Sequence, residues 1–228
     1  MDNPGKIKRI TLFAGHYGSG KTNLAVNYAL YLAGLGKKTS IADLDIVNPY
    51  FRTRDSEAEL EKAGVHIIVS PYANSNVDVP ALPDEMYAVT QNKSRSFIVD
   101  VGGDDRGALA LGRLSPDILE ENDWQMFMVV NFYRPLTRSA EGVMQVMREI
   151  ESAGKLPFTG ILNNSNLGEE TRPEDILSTV REAERLSEIS GLPLAATCVR
   201  EDLYEDLKDR IPNPVPVRLH FRKDWAIY

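Results

Sequence analysis

The chain has 228 residues, 43% of them hydrophobic and 26% charged, with a formal net charge of −7. That length fits one α/β domain spanning residues 1–228, the composition excludes a disordered or repetitive chain, and the acidic balance argues against nucleic acid as a partner. A single cysteine, Cys198, excludes an internal disulfide framework and a Cys-x-x-Cys metal pair; no apolar run suits a transmembrane segment and the polar start MDNPGKIKRI lacks a signal peptide's apolar region, so a cytoplasmic protein is expected.

Apolar, β-branched runs alternate with segments of helical period, the pattern of βαβ units built around a parallel sheet buried on both faces. The first strand is expected at residues 7 to 14 (IKRITLFA), and it leads directly into Gly15-His16-Tyr17-Gly18-Ser19-Gly20-Lys21-Thr22. This is a complete G-x-x-x-x-G-K-[ST] pattern in the strand-to-helix context that a phosphate cradle needs. Its backbone N–H groups converge on phosphate oxygens and the helix N-terminus adds partial positive charge. Lys21 neutralises the β- and γ-phosphates as a catalytic residue, and the Thr22 hydroxyl is a ligand for Mg²⁺. A merely structural glycine turn would require a chance match, roughly one in a hundred from residue frequencies.

The helix that follows is expected over residues 21 to 35, with Leu24, Tyr28, Tyr31, Leu32 and Leu35 on one stripe. A second strand over residues 38 to 44 runs into Asp43-Leu44-Asp45. Residues 43 and 45 of a strand point to one side, and two carboxylates so close repel unless a cation or donors compensate. The pair reads either as a site beside Mg²⁺ or a catalytic water, or as a solvated turn. Beyond a strand at 65 to 69, which includes His66, the stretch from 70 to 84 is long, polar and proline-punctuated, as a functional loop would be. The strand at 96 to 101 carries Asp100, a second acid for the metal or a cap on the next turn, and then Gly102-Gly103, whose amides can swing toward a γ-phosphate.

A strand at 124 to 130 delivers Asn131 to Thr137 (NFYRPLT) to the carboxyl edge of the sheet, where ligands of open α/β sheets bind. Arg134 there either contacts a substrate anion or pairs with an acidic neighbour. Val143, Val146, Met147 and Ile150 mark a helix over 137 to 153, ending at Gly154; a strand follows at 157 to 162. Thr171 to Glu174 reads as a capping box opening a helix that stops at Gly191, ahead of a strand at 193 to 199. The proline-rich tail from Ile211 is expected to be an extended edge or arm. Tyr17, Tyr50, Phe51 and Tyr72 either line a pocket over a nucleotide or belong to the core. His16, His66 and His220 have no ligand-like spacing.

In the order of these elements over residues 7 to 205 the chain resembles the MinD/ParA-type P-loop ATPases, the CobQ/CobB/MinD/ParA nucleotide-binding family. The resemblance is carried by the loop at 15 to 22, by GKKTSIADLD and IVDVGG, by Leu162-Asn163-Asn164, and by Leu192-Pro193-Leu194 leading to Val199-Arg200-Glu201-Asp202. It implies a three-layer P-loop NTPase fold, a mainly parallel sheet with helices on both faces, binding ATP and Mg²⁺. By resemblance Asp45 orients the attacking water, Asp43 is its metal-side or structural companion, Asn163 contacts adenine, and Val199 and Arg200 belong to a nucleotide-binding loop. The family's signature lysine, which reaches across a homodimer, is replaced by His16, whose imidazole lacks the long ammonium-tipped side chain of lysine. The guanine-reading Asn-Lys-x-Asp pattern is absent, since Asn92-Lys93 is followed by Ser94-Arg95. The expected function is therefore a slow, Mg-dependent ATPase acting as a molecular switch on a protein or small-molecule partner that the sequence does not name. The alternatives are an ATP-dependent kinase or ligase with a small-molecule acceptor, and a nucleotide-binding adaptor with negligible turnover.

Overall fold

The computed structural model describes residues 7–44, 54–69, 84–102 and 105–220. Among these, eight strands form one sheet: β1 (Ile10–Ala14), β2 (Thr39–Asp43), β3 (His66–Val69), β4 (Ser96–Asp100), β5 (Trp124–Val130), β6 (Gly160–Asn163), β7 (Leu194–Arg200) and β8 (Pro214–Val217). Their order is β3-β2-β4-β1-β5-β6-β7-β8, and every pair is parallel. Parallel neighbours need crossovers, which the intervening helices supply.

On one face lie α1 (Lys21–Gly34) and α2 (Arg54–Lys62); on the other lie α3 (Ala88–Gln91), α4 (Asp105–Glu121), α5 (Ala140–Gly154) and α6 (Pro173–Ser190). A short helix, α7 (Tyr204–Leu207), packs Leu207 with Ile176, Val199 and Ile211 near the β8 edge. Alternation along β1 serves both layers: Ile10, Leu12 and Ala14 join the core beneath α4 and α5, whereas Phe13 joins the core beneath α1. β1 is fully buried along its length, as a central parallel strand must be.

Several boundaries differ from the sequence reading, each for a local reason. The buried face of α1 is Leu24, Ala25, Val26, Ala29 and Leu32, whereas Tyr31 and Leu35 are exposed. Alanines bring this helix close to the sheet, and their small size hid them from a stripe drawn through large residues. The helix α4 has no counterpart in the sequence reading because Gly107, Gly112 and Pro116 interrupt its propensity. Gly107 is required there: a Cβ would stand 2.5 Å from the Gly102 Cα. The helix α6 starts at Pro173, not at Thr171, and its cap is the Asp175 carboxylate accepting from the Arg172 N–H at 2.8 Å. The helix α5 opens at Ser139, because Pro135–Thr137 forms a separate 3-10 turn. β6 begins three residues later than expected, at Gly160. The tail contributes an edge strand, the position at which Pro214 and Pro216 cost no ladder donor to the interior.

The helix α1 is tied to the chain beyond β8 by two asparagines. Asn23 and Asn27 each donate to the Arg218 carbonyl at 2.9 Å and accept from the His220 and Arg218 N–H groups, also at 2.9 Å. Between α1 and the floor of β6 to β8 lies a mainly apolar cleft of about 710 Å³, bordered by Tyr28, Leu162, Cys198, Val215 and Arg218.

Candidate functional site

β1 occupies the middle of the sheet, between β4 and β5, and its carboxyl end turns into the Gly15–Thr22 loop. Two glycines of the loop are demanded by close approach. Gly15 has φ 156°, and a Cβ on it would lie 2.4 Å from the Val129 carbonyl oxygen; Gly20 has φ 85°, and a Cβ on it would lie 2.3 Å from Asn164 Nδ2. Gly20 then caps α1, whose first turn holds no acidic residue of its own, so the positive end of its dipole is not neutralised from within the helix. Lys21 is only 5% exposed, and among the described residues its ammonium has no ion-pair or hydrogen-bond partner. A buried cation without a counter-charge is costly, and one placed at a helix N-terminus beside a glycine loop matches an anionic ligand.

Acids meet this loop from the β4 side. Thr22 Oγ1 donates to Asp100 Oδ2 at 2.5 Å. Asp43 and Asp100 are register partners across β2 and β4, and they are 3% and 1% exposed. Two buried carboxylates on adjacent strands, with a hydroxyl in contact with one of them, have the oxygen chemistry of a hard divalent cation. Among the described residues no group of three His, Cys, Asp or Glu side chains is arranged to hold a metal, so such an ion would complete its shell with water or phosphate oxygens. Asp45 lies outside the described residues, as do Gly103, Tyr50, Phe51, Tyr72 and the segment 70–83.

On the β5–β6 side, two segments grip the loop. Asn164 Nδ2 donates to the Ser19 carbonyl at 2.7 Å, and Arg134 Nε donates to the Gly18 carbonyl at 2.9 Å. Arg134 therefore takes a main-chain partner, not the acidic neighbour that the sequence offered as one reading. Its segment is fastened to the end of β6: Phe132 N–H donates to Ser165 Oγ at 3.0 Å and Asn131 Nδ2 to the Asn166 carbonyl at 3.0 Å. Asn163 is fully buried, donating to Thr179 Oγ1 at 3.1 Å and accepting from Ser165 Oγ at 2.7 Å, so its amide holds β6 to α6. The next residue, Asn164, is the one that reaches the loop, and no spacing in the sequence distinguishes it.

Farther along the edge, the Arg200 guanidinium binds both Asp202 oxygens, at 2.5 and 2.8 Å, and the Gly168 and Glu169 carbonyls at 2.9 and 2.8 Å. The bond from Arg200 holds the Asp202 carboxyl below the usual carboxylate range. The Val199 side chain packs into the small core around Leu207. His16 Nδ1 lies 3.0 Å from the Tyr17 carbonyl, and the Tyr17 ring is exposed.

A parallel sheet whose central strand feeds a glycine loop, a buried lysine and a helix N-terminus, with a threonine-aspartate pair alongside, defines a P-loop NTPase fold. The sequence profile of the CobQ/CobB/MinD/ParA nucleotide binding domain matches residues 10–190. The chain belongs to that family.

Solved structures share the fold at low identity. The cell division protein FtsY from Thermotoga maritima is similar with a TM-score of 0.59 and 14% identity, over 83% of this chain and 61% of that one. The signal recognition particle 54 kDa protein from Aeropyrum pernix K1, in complex with GDP, gives 0.54 and 15%, over 86% and 42%. FlhF complexed with GMPPNP and Mg²⁺ gives 0.51 and 15%, over 84% and 66%. The matched region is thus less than two thirds of each of these longer chains. No curated protein matches the sequence. Among the described residues no helix is long and apolar enough to cross a membrane.

Proposed function

We propose that this protein binds Mg-ATP at the Gly15–Thr22 loop and hydrolyses it slowly, as a molecular switch. The observation that carries the reading is the meeting of Thr22, Asp100 and Asp43 at one level of the sheet, beside the buried Lys21. In this reading the α1 N-terminus and Lys21 hold the β- and γ-phosphates, and Thr22 and Asp100, with Asp43 beside them, hold Mg²⁺. The ion, when bound, draws negative charge off the β- and γ-oxygens. Asp45 keeps the role that resemblance gives it, orienting the attacking water. Gly102 rests against Gly107 of α4, so a shift of the 102–103 backbone would be passed to that helix.

Adenine is favoured by the end of β6, where Asn163, Asn164, Ser165 and Asn166 offer no carboxylate to accept from the N1–H and N2 amine of guanine. Asn163 has its amide committed inside the protein, so we assign the purine contact to the main chain around residues 163 to 168 and to the Val199–Arg200 turn. We place the protein in the cytoplasm, and a homodimer remains the assembly that family resemblance favours.

Calorimetry with ATP and GTP, each with and without Mg²⁺, tests the core of this. ATP is expected to bind at least about tenfold more tightly with the metal than without it, and Lys21→Ala to lose roughly a hundredfold in affinity or turnover. Absence of heat from every purine nucleotide defeats the reading, whereas a preference for GTP overturns only the choice of base. Phosphate release from ATP alone separates a switch from a ligase, which waits for its acceptor.

A further inference from the structure

We propose that Arg134 binds the terminal phosphate of the nucleotide held by the Gly15–Thr22 loop, a cationic ligand supplied from the same chain. The inference rests on the nucleotide reading above and adds a residue that the loop pattern does not contain.

The guanidinium lies directly against the loop. Its Nε donates to the Gly18 carbonyl at 2.9 Å, and a Cβ built on Gly18 would stand 3.0 Å from Nε and 3.3 Å from Cζ. Any side chain at residue 18 would displace the arginine. Among the described residues the two terminal nitrogens of Arg134 have no hydrogen-bond or ion-pair partner. One N–H therefore anchors the group, and the remaining donors keep the planar fork that suits phosphate. A cation laid on a phosphate-binding loop, half-buried and with no carboxylate paired to it among the described residues, adds to the field that Lys21 and the α1 dipole already create.

The arginine is also held in place more firmly than a surface side chain. Its N–H donates to the Asn131 carbonyl at 3.1 Å, and Thr137 closes the turn by donating from Oγ1 to that carbonyl at 2.7 Å and from N to the Arg134 carbonyl at 3.1 Å. Pro135 follows at the first position of the 3-10 turn, and the preceding Tyr133 hydroxyl donates to the Asp175 carbonyl on α6 at 2.9 Å. Such a scaffold positions a charge without reorganisation at the moment of reaction. In hydrolysis the water oxygen forms a bond to the γ-phosphorus while the bond to the β–γ bridging oxygen breaks. ADP leaves with that electron pair, and the water's proton passes to solvent or to the phosphate. Arg134 neutralises charge gathering on the terminal and bridging oxygens, as an arginine supplied in cis does in other phosphoryl-transfer sites.

The test uses the full chain and its Arg134→Ala and Arg134→Lys variants, each with Mg²⁺, and reads affinity for ADP, for the non-hydrolysable analogue AMPPNP, and for ADP with aluminium fluoride. Arg134→Ala should bind ADP within about twofold of the parent, AMPPNP about tenfold more weakly, and the aluminium fluoride complex at least a hundredfold more weakly. Arg134→Lys should recover part of the last two. Should Arg134→Ala melt early, Arg134→Gln, which keeps an N–H for the Gly18 carbonyl, carries the same comparison. Equal weakening toward ADP and AMPPNP would show a clamp on Gly18 and nothing more, and unchanged affinities would show no role; either outcome overturns the proposal. Failure of the parent protein to bind any of the three ligands removes the nucleotide reading itself, a result distinct from a defect confined to the variants.

Discussion

The Ser19 carbonyl of the loop is held by Asn164, whose Nδ2 donates to it at 2.7 Å. A peptide group whose oxygen is held by a side chain has the direction of its N–H fixed as well, which is how a chain of amides comes to face an anion. Asn164 is suited to this because its amide donates without adding charge. Replacing it by alanine leaves the Ser19 carbonyl short of a partner, a loss of about 1–2 kcal/mol in a buried setting. Asn164→Asp should be worse, since it sets a carboxylate against a carbonyl and beside the polyphosphate. Calorimetric titration should show nucleotide affinity falling by tenfold or more in Asn164→Asp and by clearly less in Asn164→Ala; the reverse ranking would mean that Asn164 does not orient the loop. The residue escaped sequence reading because its contact depends on β6 lying two strands from β1, a relation that no local pattern encodes.

At the scale of elements the same lesson applies to the acids. The strands themselves were legible from their β-branched runs, and so was the placement of Asp43 and Asp100 at strand ends. Strand order was not, so the sequence paired Asp43 with Asp45 along one strand, whereas the sheet also sets Asp43 level with Asp100 across two. The loop, the α1 boundary and the parallel architecture were readable because each follows from short-range chemistry. The helix α4 was not, because its glycines serve close packing against Gly102 and Ala153, which are distant in sequence.

The far end of α4 is secured by charge. Arg9, at the start of β1, donates to both oxygens of Glu121 and to the Val89 carbonyl at 2.8 Å, and its guanidinium sits 5.5 Å from the Phe97 ring centre. Lys93 adds a 2.6 Å bond to the same carboxylate, which is about 10% exposed. Burial pushes the Glu121 carboxyl up, but the bonds from Arg9 and Lys93 outweigh it, and the net shift is downward. A carboxyl lowered in the folded state stabilises above its unfolded value and loses that contribution as pH falls through the folded one. Glu121→Gln should therefore cost about 2 kcal/mol in urea melts at pH 7, with the gap to the parent closing below about pH 4. A gap that persists unchanged at pH 3 would show that packing, not charge, holds this corner.

Among the described residues the two faces of the sheet are covered unequally. The helices α3 to α6 shield one side, whereas on the other α1 and α2 lie over β1 to β4, and the floor of β6 to β8 borders the cleft. Cys198 sits on that floor, buried among Leu162, Ala196 and Val215. Burial pushes its thiol up to about 12 from an ordinary value of 9.0. The thiolate population at neutral pH is then about a thousandfold smaller than in an exposed cysteine, and the greater nucleophilicity of a more basic thiolate restores only about twentyfold of that. Alkylation of the native protein should be about fiftyfold slower than that of the urea-unfolded chain. Its rate should keep climbing with pH beyond 10, whereas the unfolded chain levels off near 9. A native rate that levels off at the same pH as the unfolded chain would show that water reaches the sulfur freely from the cleft, despite the apolar side chains packed around it.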